Sequence, residues 1–308
     1  MSIGLSPATL KAYKSTWSLF TLFCLSLNIP IYPVLISTVC AFIVHNFQTR
    51  NVTIPTIRRM LAGVQFNARC YDPSFSSLFS NSAIRLLLKG LTKTYKRTPD
   101  KRLPITPDIL QKLISALREG MFSNYINNLL EAVFLMAFYG FMRPGEFFCN
   151  TQSFDHKHDL AYSGISFSPT HYNIFLKHSK SDPMRKGVTI TITKLNGSLC
   201  PFDSMVRFLT SHPHTSAAPL FILPNGLPMT KHWFREHLSR VLKKCSLSPS
   251  LYTGHSFRIG AATTAAKIGL PISSIKALGR WTSASYKSYI RPDNHLVRDA
   301  QMSLSKAI

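Results

Sequence analysis

Between Gly164 and Thr193 the spacing of apolar residues changes from three and four to two. There the runs ISF, YNIFLKH and GVTITIT alternate or are β-branched, and polar turns separate them, so three strands of a small antiparallel sheet are expected. On both sides of this stretch the apolar residues recur at helical spacing. A mainly α chain carrying one small sheet is the fold class that follows.

Four helical patterns come first. Ser6 and Pro7 form an N-cap and first helical position, after which Leu10, Tyr13, Trp17, Phe20, Cys24 and Leu27 mark one stripe. The second pattern runs through Leu35, Val39, Phe42 and Ile43, the third through Ile57, Leu61 and Val64, and the fourth through Ile84, Leu87, Leu88 and Leu91. Four short helices without a strand make a small bundle. The stretch KRTPDKRLPITP, Lys96 to Pro107, is basic and holds three prolines, which predicts an extended linker. Helical spacing resumes with Leu110, Leu113, Ile114 and Leu117, continues from Asn124 through Leu130, Val133 and Phe138 to Gly140, and returns over Pro201 to Leu209 and Thr230 to Leu242. At 308 residues the chain suits two domains, 1–98 and 108–308, joined by a linker at 99–107.

The charge sets the partner. Thirty-six Lys and Arg against 13 Asp and Glu give a formal net charge of +23, which implies a polyanion, with nucleic acid first among candidates. Residues 1–98 hold 11 basic residues and one acidic one, so both domains carry the excess and a clamp on the polyanion is expected. Arg58, Arg59, Lys89, Lys93, Lys96 and Arg97, with Arg69, are the phosphate-contact candidates of the first domain. The six cysteines are far apart and form no C-x-x-C pair, which argues against a disulfide framework or a zinc site and fits a reducing compartment. The apolar stretch Leu19 to Val44 is broken by Ser26, Asn28, Pro30 and Pro33, so no membrane span is expected.

The chemistry gathers near the end. The stretch 253–292 places His255 and Arg258 on one face at the start of a helix, where free N–H groups favour an anion, and Gly260, Ala261 and Ala262 follow as small residues suited to close packing. Trp281, Tyr286, Tyr289 and Arg291 come next. Upstream, Arg143 and Glu146 lie in the turn FMRPGEF, and Lys177, Lys180 and Lys186 lie in or beside the turn HSKSDPMRKG between the second and third strands.

In order, GFMRPGE, S-K-x-D, HSFR, GRW and a following tyrosine resemble the tyrosine recombinase (phage integrase) family, and the likeness covers nearly the whole chain. The resemblance implies an N-terminal core-binding bundle and an α+β catalytic domain that together form a C-shaped clamp on double-stranded DNA. It implies cleavage and rejoining of strands through a 3′-phosphotyrosyl intermediate, with neither metal nor ATP. Arg143 and Arg258 would hold the scissile phosphate, with Glu146 orienting the basic groups. His255 and Trp281 would add donors, and Trp281 stands where histidine is commoner in the family. Tyr289 would be the nucleophile, with His255 as base and Lys180 as acid to the departing 5′ oxygen. Lys177 and Lys186 stay open as alternatives to Lys180, and Tyr286 to Tyr289, because Tyr289 follows Trp281 by eight residues where nine is usual after histidine. GRW with tyrosine at plus eight resembles the recombinases of eukaryotic mobile elements, which implies the nucleus, and the family implies dimers and tetramers on DNA. A type IB topoisomerase and a non-catalytic DNA-binding descendant of a recombinase are the competing readings.

Overall fold

The computed structural model describes residues 5–95, 100–177, 179, 182, 186–211, 215–291, 301, 302 and 305. The chain divides into two compact units, Met1–Pro99 and Asp100–Ile308, each with its own hydrophobic core.

The first unit consists of α1 (Pro7–Ser26), α2 (Ile36–Gln48), α3 (Ile54–Tyr71) and α4 (Ser82–Thr94). The Ser6 hydroxyl accepts the Thr9 N–H at 3.2 Å, and Pro7 follows at the first helical position, where its missing N–H costs nothing. The Asn81 side chain caps α4 by accepting from Ala83 and Ile84. Phe20, Cys24, Val39, Phe42, Ile43, Ile57, Leu61, Val64, Ile84 and Leu88 fill the core, as the spacing requires. Leu27 and Leu35 do not join it: they cap the end of α1 and the start of α2, where each stripe has run out, and both are exposed.

The second unit contains α5 (Pro107–Arg118), α6 (Asn124–Tyr139), the strands β1 (Ile165–Ser168), β2 (His171–Leu176) and β3 (Val188–Thr193), then α7 (Pro201–Thr210), α8 (Lys231–Lys244), α9 (Gly254–Lys267) and α10 (Ile272–Gly279). Every residue from Leu129 to Phe138 is buried, so α6 is wrapped on all sides, by α5, α7 and α9 among others. The sheet is antiparallel in the order β1-β2-β3, with Tyr172 opposite Ile192 and Ile174 opposite Ile190. Tyr172, Ile174, Leu176, Ile190 and Ile192 form its inner face, while Phe167 and Phe175 are exposed. Among the described residues no helix is long and apolar enough to cross a membrane, and all six cysteines are free.

Part of the stretch expected as linker is not free. The Leu103 N–H donates to the Leu251 carbonyl at 2.8 Å and the Ile105 N–H to the Ser256 carbonyl at 3.0 Å, which straps 100–106 to the start of α9. Gly260 permits this approach: a Cβ there would lie 1.8 Å from the Ile105 carbonyl oxygen.

Candidate active site

The site forms where α6 ends. Gly140 closes the helix, Phe141 takes a left-handed conformation (φ 46°), and the chain turns into the short 3-10 helix Pro144–Glu146. The Gly140 and Phe141 carbonyls thus face outward at the negative end of a helix, where cations are favoured. Two arginines from distant segments take those positions. Arg280 Nη1 donates to the Gly140 carbonyl at 2.9 Å and Arg280 Nη2 to that of Phe141 at 3.3 Å, while Arg258 Nη1 also donates to the Phe141 carbonyl.

Arg258 is the fifth residue of α9. Thr253 caps that helix by accepting from the His255 N–H, and the Ser256 hydroxyl reaches back to accept from the Thr253 N–H. The Arg258 side chain is fully buried, and its Nη2 donates to the Gly279 carbonyl at 2.6 Å. Its Cζ lies 4.2 Å from the centroid of Trp281 and 5.1 Å from that of Tyr289. Nε has no hydrogen-bond partner among the described residues. Two carbonyls thus hold the Arg258 guanidinium and aromatic rings cover it. Burial, with Arg143 and Arg280 as like-charged neighbours, lowers its pKa to about 10, which leaves it charged at neutral pH.

Arg143 is less enclosed. Its Nη1 donates to Glu146 Oε1 at 3.0 Å and to the Ser179 hydroxyl at 3.3 Å, and its backbone N–H donates to Glu146 Oε2 at 2.8 Å. Glu146 Oε2 also accepts from Arg280 Nη2 at 2.8 Å, and Oε1 from the Ser179 hydroxyl at 3.0 Å. Burial alone would raise the Glu146 pKa, but Arg280 and the backbone N–H and charge of Arg143 outweigh it and hold the carboxyl below its ordinary value. Arg143 and Arg280 thus share the carboxylate of Glu146, with the Arg258 guanidinium close enough to feel their charges, and positive charge remains uncompensated in a largely dry setting.

His255 stands beside this cluster, half-buried. Burial, then the charges of Arg102, Arg258 and Lys231, lower its pKa to about 4, so the ring is neutral at pH 7 and able to accept a proton. Trp281 is buried with its ring centroid 5.2 Å from that of Tyr289. Tyr286 is buried against Trp281, whereas Tyr289 is only partly covered, ends the short helix Ala284–Ser288, and accepts at its carbonyl from the Thr263 hydroxyl. Arg291 fastens the same segment: its backbone N–H donates to Thr263 Oγ1, its Nε to the Arg102 carbonyl and its Nη2 to Asp100. The hydrogen bonds from Arg102, with the charges of Arg102 and Arg291, lower the Asp100 pKa to about 2.

Arg143, Glu146, Arg258, Trp281 and Tyr289 are thus brought together, with His255 at the edge. Lys180 lies outside the described residues, as do Lys96 and Arg97. Nearby in sequence, Ser179 touches Arg143 and Glu146, and the Asp182 N–H donates to the Ser179 carbonyl at 3.0 Å. Lys177 Nζ instead donates to the His156 carbonyl at 2.7 Å, and Lys186 is exposed. Arg58, Arg59, Lys89 and Lys93 are exposed on α3 and α4, while Arg69 Nε donates to the Phe75 carbonyl. Sequence reasoning missed Arg280 and Ser179. Each stood inside a quoted motif, GRW and S-K-x-D, but neither carries a periodic signal that marks it as buried. Among the described residues no group of three or more His, Cys, Asp or Glu is placed to hold a metal ion.

No protein-family model and no curated protein matches the chain. Solved structures do. The XerH site-specific recombinase bound to its palindromic difH substrate, in a post-cleavage complex, is similar with a TM-score of 0.64 at 13% identity, over 92% of this chain and 75% of that one. The Tn1549 transposon integrase in complex with transposon right end DNA gives 0.62 at 16% identity, over 98% and 95%. The same integrase with circular intermediate DNA gives 0.58 at 15%, over 96% and 98%. Identities this low carry likeness of fold alone, and on that likeness the chain has the fold of the tyrosine recombinases.

Proposed function

We propose that the protein is a site-specific DNA recombinase that cuts and rejoins strands through Tyr289. The observation that carries this reading is the pair of guanidiniums, Arg143 and Arg280, on one carboxylate, with a third, Arg258, beside them against a partly exposed tyrosine. Such a cluster suits a group that brings negative charge on several oxygens, and a phosphodiester does so. The formal net charge of +23 supports a long polyanion as the carrier of that phosphate, and the neighbouring folds were solved on DNA.

In the reaction, Tyr289 Oη attacks the phosphorus and forms the P–O bond of a 3′-phosphotyrosine. Neutral His255 takes the phenol proton, and the P–O bond to the 5′ oxygen breaks in line. Lys180 gives that oxygen its proton, so a hydroxyl leaves rather than an alkoxide. Arg143 neutralises the non-bridging oxygens bidentately. Arg258 supplies charge from beneath Trp281 and Tyr289 and meets the phosphate as the Tyr289 ring moves off it. A second strand's 5′-hydroxyl reverses the step and completes the exchange, with the phosphodiester bond conserved throughout. The work on two duplexes calls for protomers paired on DNA, and the GRW pattern favours a eukaryotic mobile element, hence the nucleus, as the setting.

The test is a nicked duplex in which the short 5′-hydroxyl fragment diffuses away after cleavage. A protein–DNA adduct that survives denaturation, together with exchange between two duplexes, supports the reading. Relaxation of supercoils without exchange favours a topoisomerase, and DNA binding without adduct favours a non-catalytic descendant.

A further inference from the structure

The tripeptide Gly279-Arg280-Trp281 touches Arg258 directly and Arg143 by way of Glu146. The Gly279 carbonyl accepts from Arg258, and the Trp281 ring lies against the Arg258 guanidinium. Trp281 folds back over Gly279 itself, where a Cβ would lie 1.8 Å from the indole Cζ3. Arg280 points the other way and reaches Arg143 through Glu146.

Arg280 takes a left-handed backbone (φ 55°) at the end of α10, a conformation in which glycine or asparagine is the usual occupant. An arginine there is explained by what its side chain does. It is nearly enclosed, with one nitrogen on the Gly140 carbonyl and the other shared between the Phe141 carbonyl and Glu146 Oε2. Glu146 in turn has every acceptor direction engaged: Oε1 by Arg143 Nη1 and the Ser179 hydroxyl, Oε2 by the Arg143 N–H and Arg280. Without Arg280, Oε2 would lose its only cationic side-chain partner among the described residues, burial would weigh against the ionised carboxylate, and the Arg143 side chain would lose its fixed abutment.

We infer that Arg280 is a positioning residue, which acts through Glu146 to set the Arg143 guanidinium against the scissile phosphate. The inference rests on the recombinase reading for its catalytic consequence. It reaches a residue held by the Gly140 and Phe141 carbonyls and by Glu146, and ties the GRW segment to the end of α6.

The experiment compares Arg280→Gln and Arg280→Lys, each alone and combined with Arg143→Ala. The first readout needs no activity: the carbon-13 resonance of the Glu146 carboxyl is followed through a pH titration in the full chain. Arg280→Gln should move the Glu146 titration upward and Arg280→Lys should move it less, since lysine restores the charge but not the fork. An unmoved titration in Arg280→Gln overturns the inference whether or not the protein cleaves DNA. The second readout is the rate of adduct formation at saturating nicked duplex, drawn from a pool with a randomised central segment. Arg280→Gln should lower that rate by about 100-fold with unchanged duplex affinity, the scale of a misplaced catalytic group. In the Arg143→Ala background the further loss should be under about threefold, because residues that act in series are not additive. Full additivity would give Arg280 a role independent of Arg143 and contradict the inference. Absence of any adduct with the unaltered chain would sink the recombinase reading, and the carboxyl titration would still decide the link from Arg280 to Glu146. If thermal melting shows Arg280→Gln unfolded, Arg280→Lys carries both readouts.

Discussion

The ring of Tyr289 lies against the Arg258 guanidinium, 5.1 Å from Cζ to the ring centroid, while two carbonyls hold the terminal nitrogens of that arginine. The candidate nucleophile therefore sits directly against a candidate phosphate clamp. Because the contact uses the ring and not the hydroxyl, Tyr289→Phe should leave thermal stability near that of the unaltered chain. Tyr289→Ala should lose about 0.5–2 kcal/mol, the range for a cation over an aromatic face. Chemical denaturation of the three proteins checks this, and equal loss in both variants would place the stabilising contact at the hydroxyl.

Gly260→Ala should displace the strap formed by residues 100–106. The added methyl would meet the Ile105 carbonyl at 1.8 Å, which neither backbone can accommodate in place. Limited proteolysis should cut near Lys101 and Arg102 faster in Gly260→Ala than in the unaltered chain, with a lower melting temperature. Ala262→Gly, within the same helix, should not raise the cutting rate at Lys101 and Arg102.

The neutral state of His255 gives a pH signature. Its pKa falls from the ordinary 6.5 to about 4 on folding, first because it is buried and then because cations surround it. Stability from this group is present above pH 6.5 and is lost as pH falls toward 4, since the unfolded chain binds the proton first. His255→Gln should flatten the slope of stability against pH in that window. If His255 is the base, cleavage by the unaltered chain should stay level from pH 7.5 down to about 5.5. An inflection near 6.5 would remove either the neutral ring or its role.

Lys180 is tested through the leaving group. Lys180→Ala should slow cleavage of an ordinary strand and be restored by a 5′-bridging phosphorothiolate, whose thiolate leaves without a proton. Arg143→Ala should not be restored, because the charge it meets lies on the non-bridging oxygens. Restoration of Lys177→Ala or Lys186→Ala in place of Lys180→Ala would move the acid along the turn.

The helices of the first unit and the three strands were legible because burial there follows period. Val39, Phe42, Ile57, Leu61, Ile174 and Ile190 are buried where their spacing puts them. Leu27 and Leu35 departed from it because a stripe says nothing of where a helix stops. In the site, Arg143, Glu146, Arg258 and Tyr289 were legible as a set of chemical types in order, and the fold brings them together. Two things were not legible. The burial of Arg258 depends on carbonyls at 141 and 279, which any residue would offer, and the hold of Arg280 on Glu146 depends on a left-handed turn at a residue that seldom takes one. Neither leaves a trace in residue type. The extended appearance of 96–107 concealed the strap for the same reason: backbone hydrogen bonds from Leu103 and Ile105 have no side-chain signature, and only Gly260 marks the approach.

The most direct test of the central claim is peptide mapping of the covalent adduct formed on a nicked duplex from the randomised pool. The phosphonucleotide should be found on Tyr289, at the 3′ end of the cut strand, and Tyr289→Phe should form none while binding duplex as tightly as the unaltered chain. An adduct mapped to Tyr286, or one that persists in Tyr289→Phe, would contradict the account.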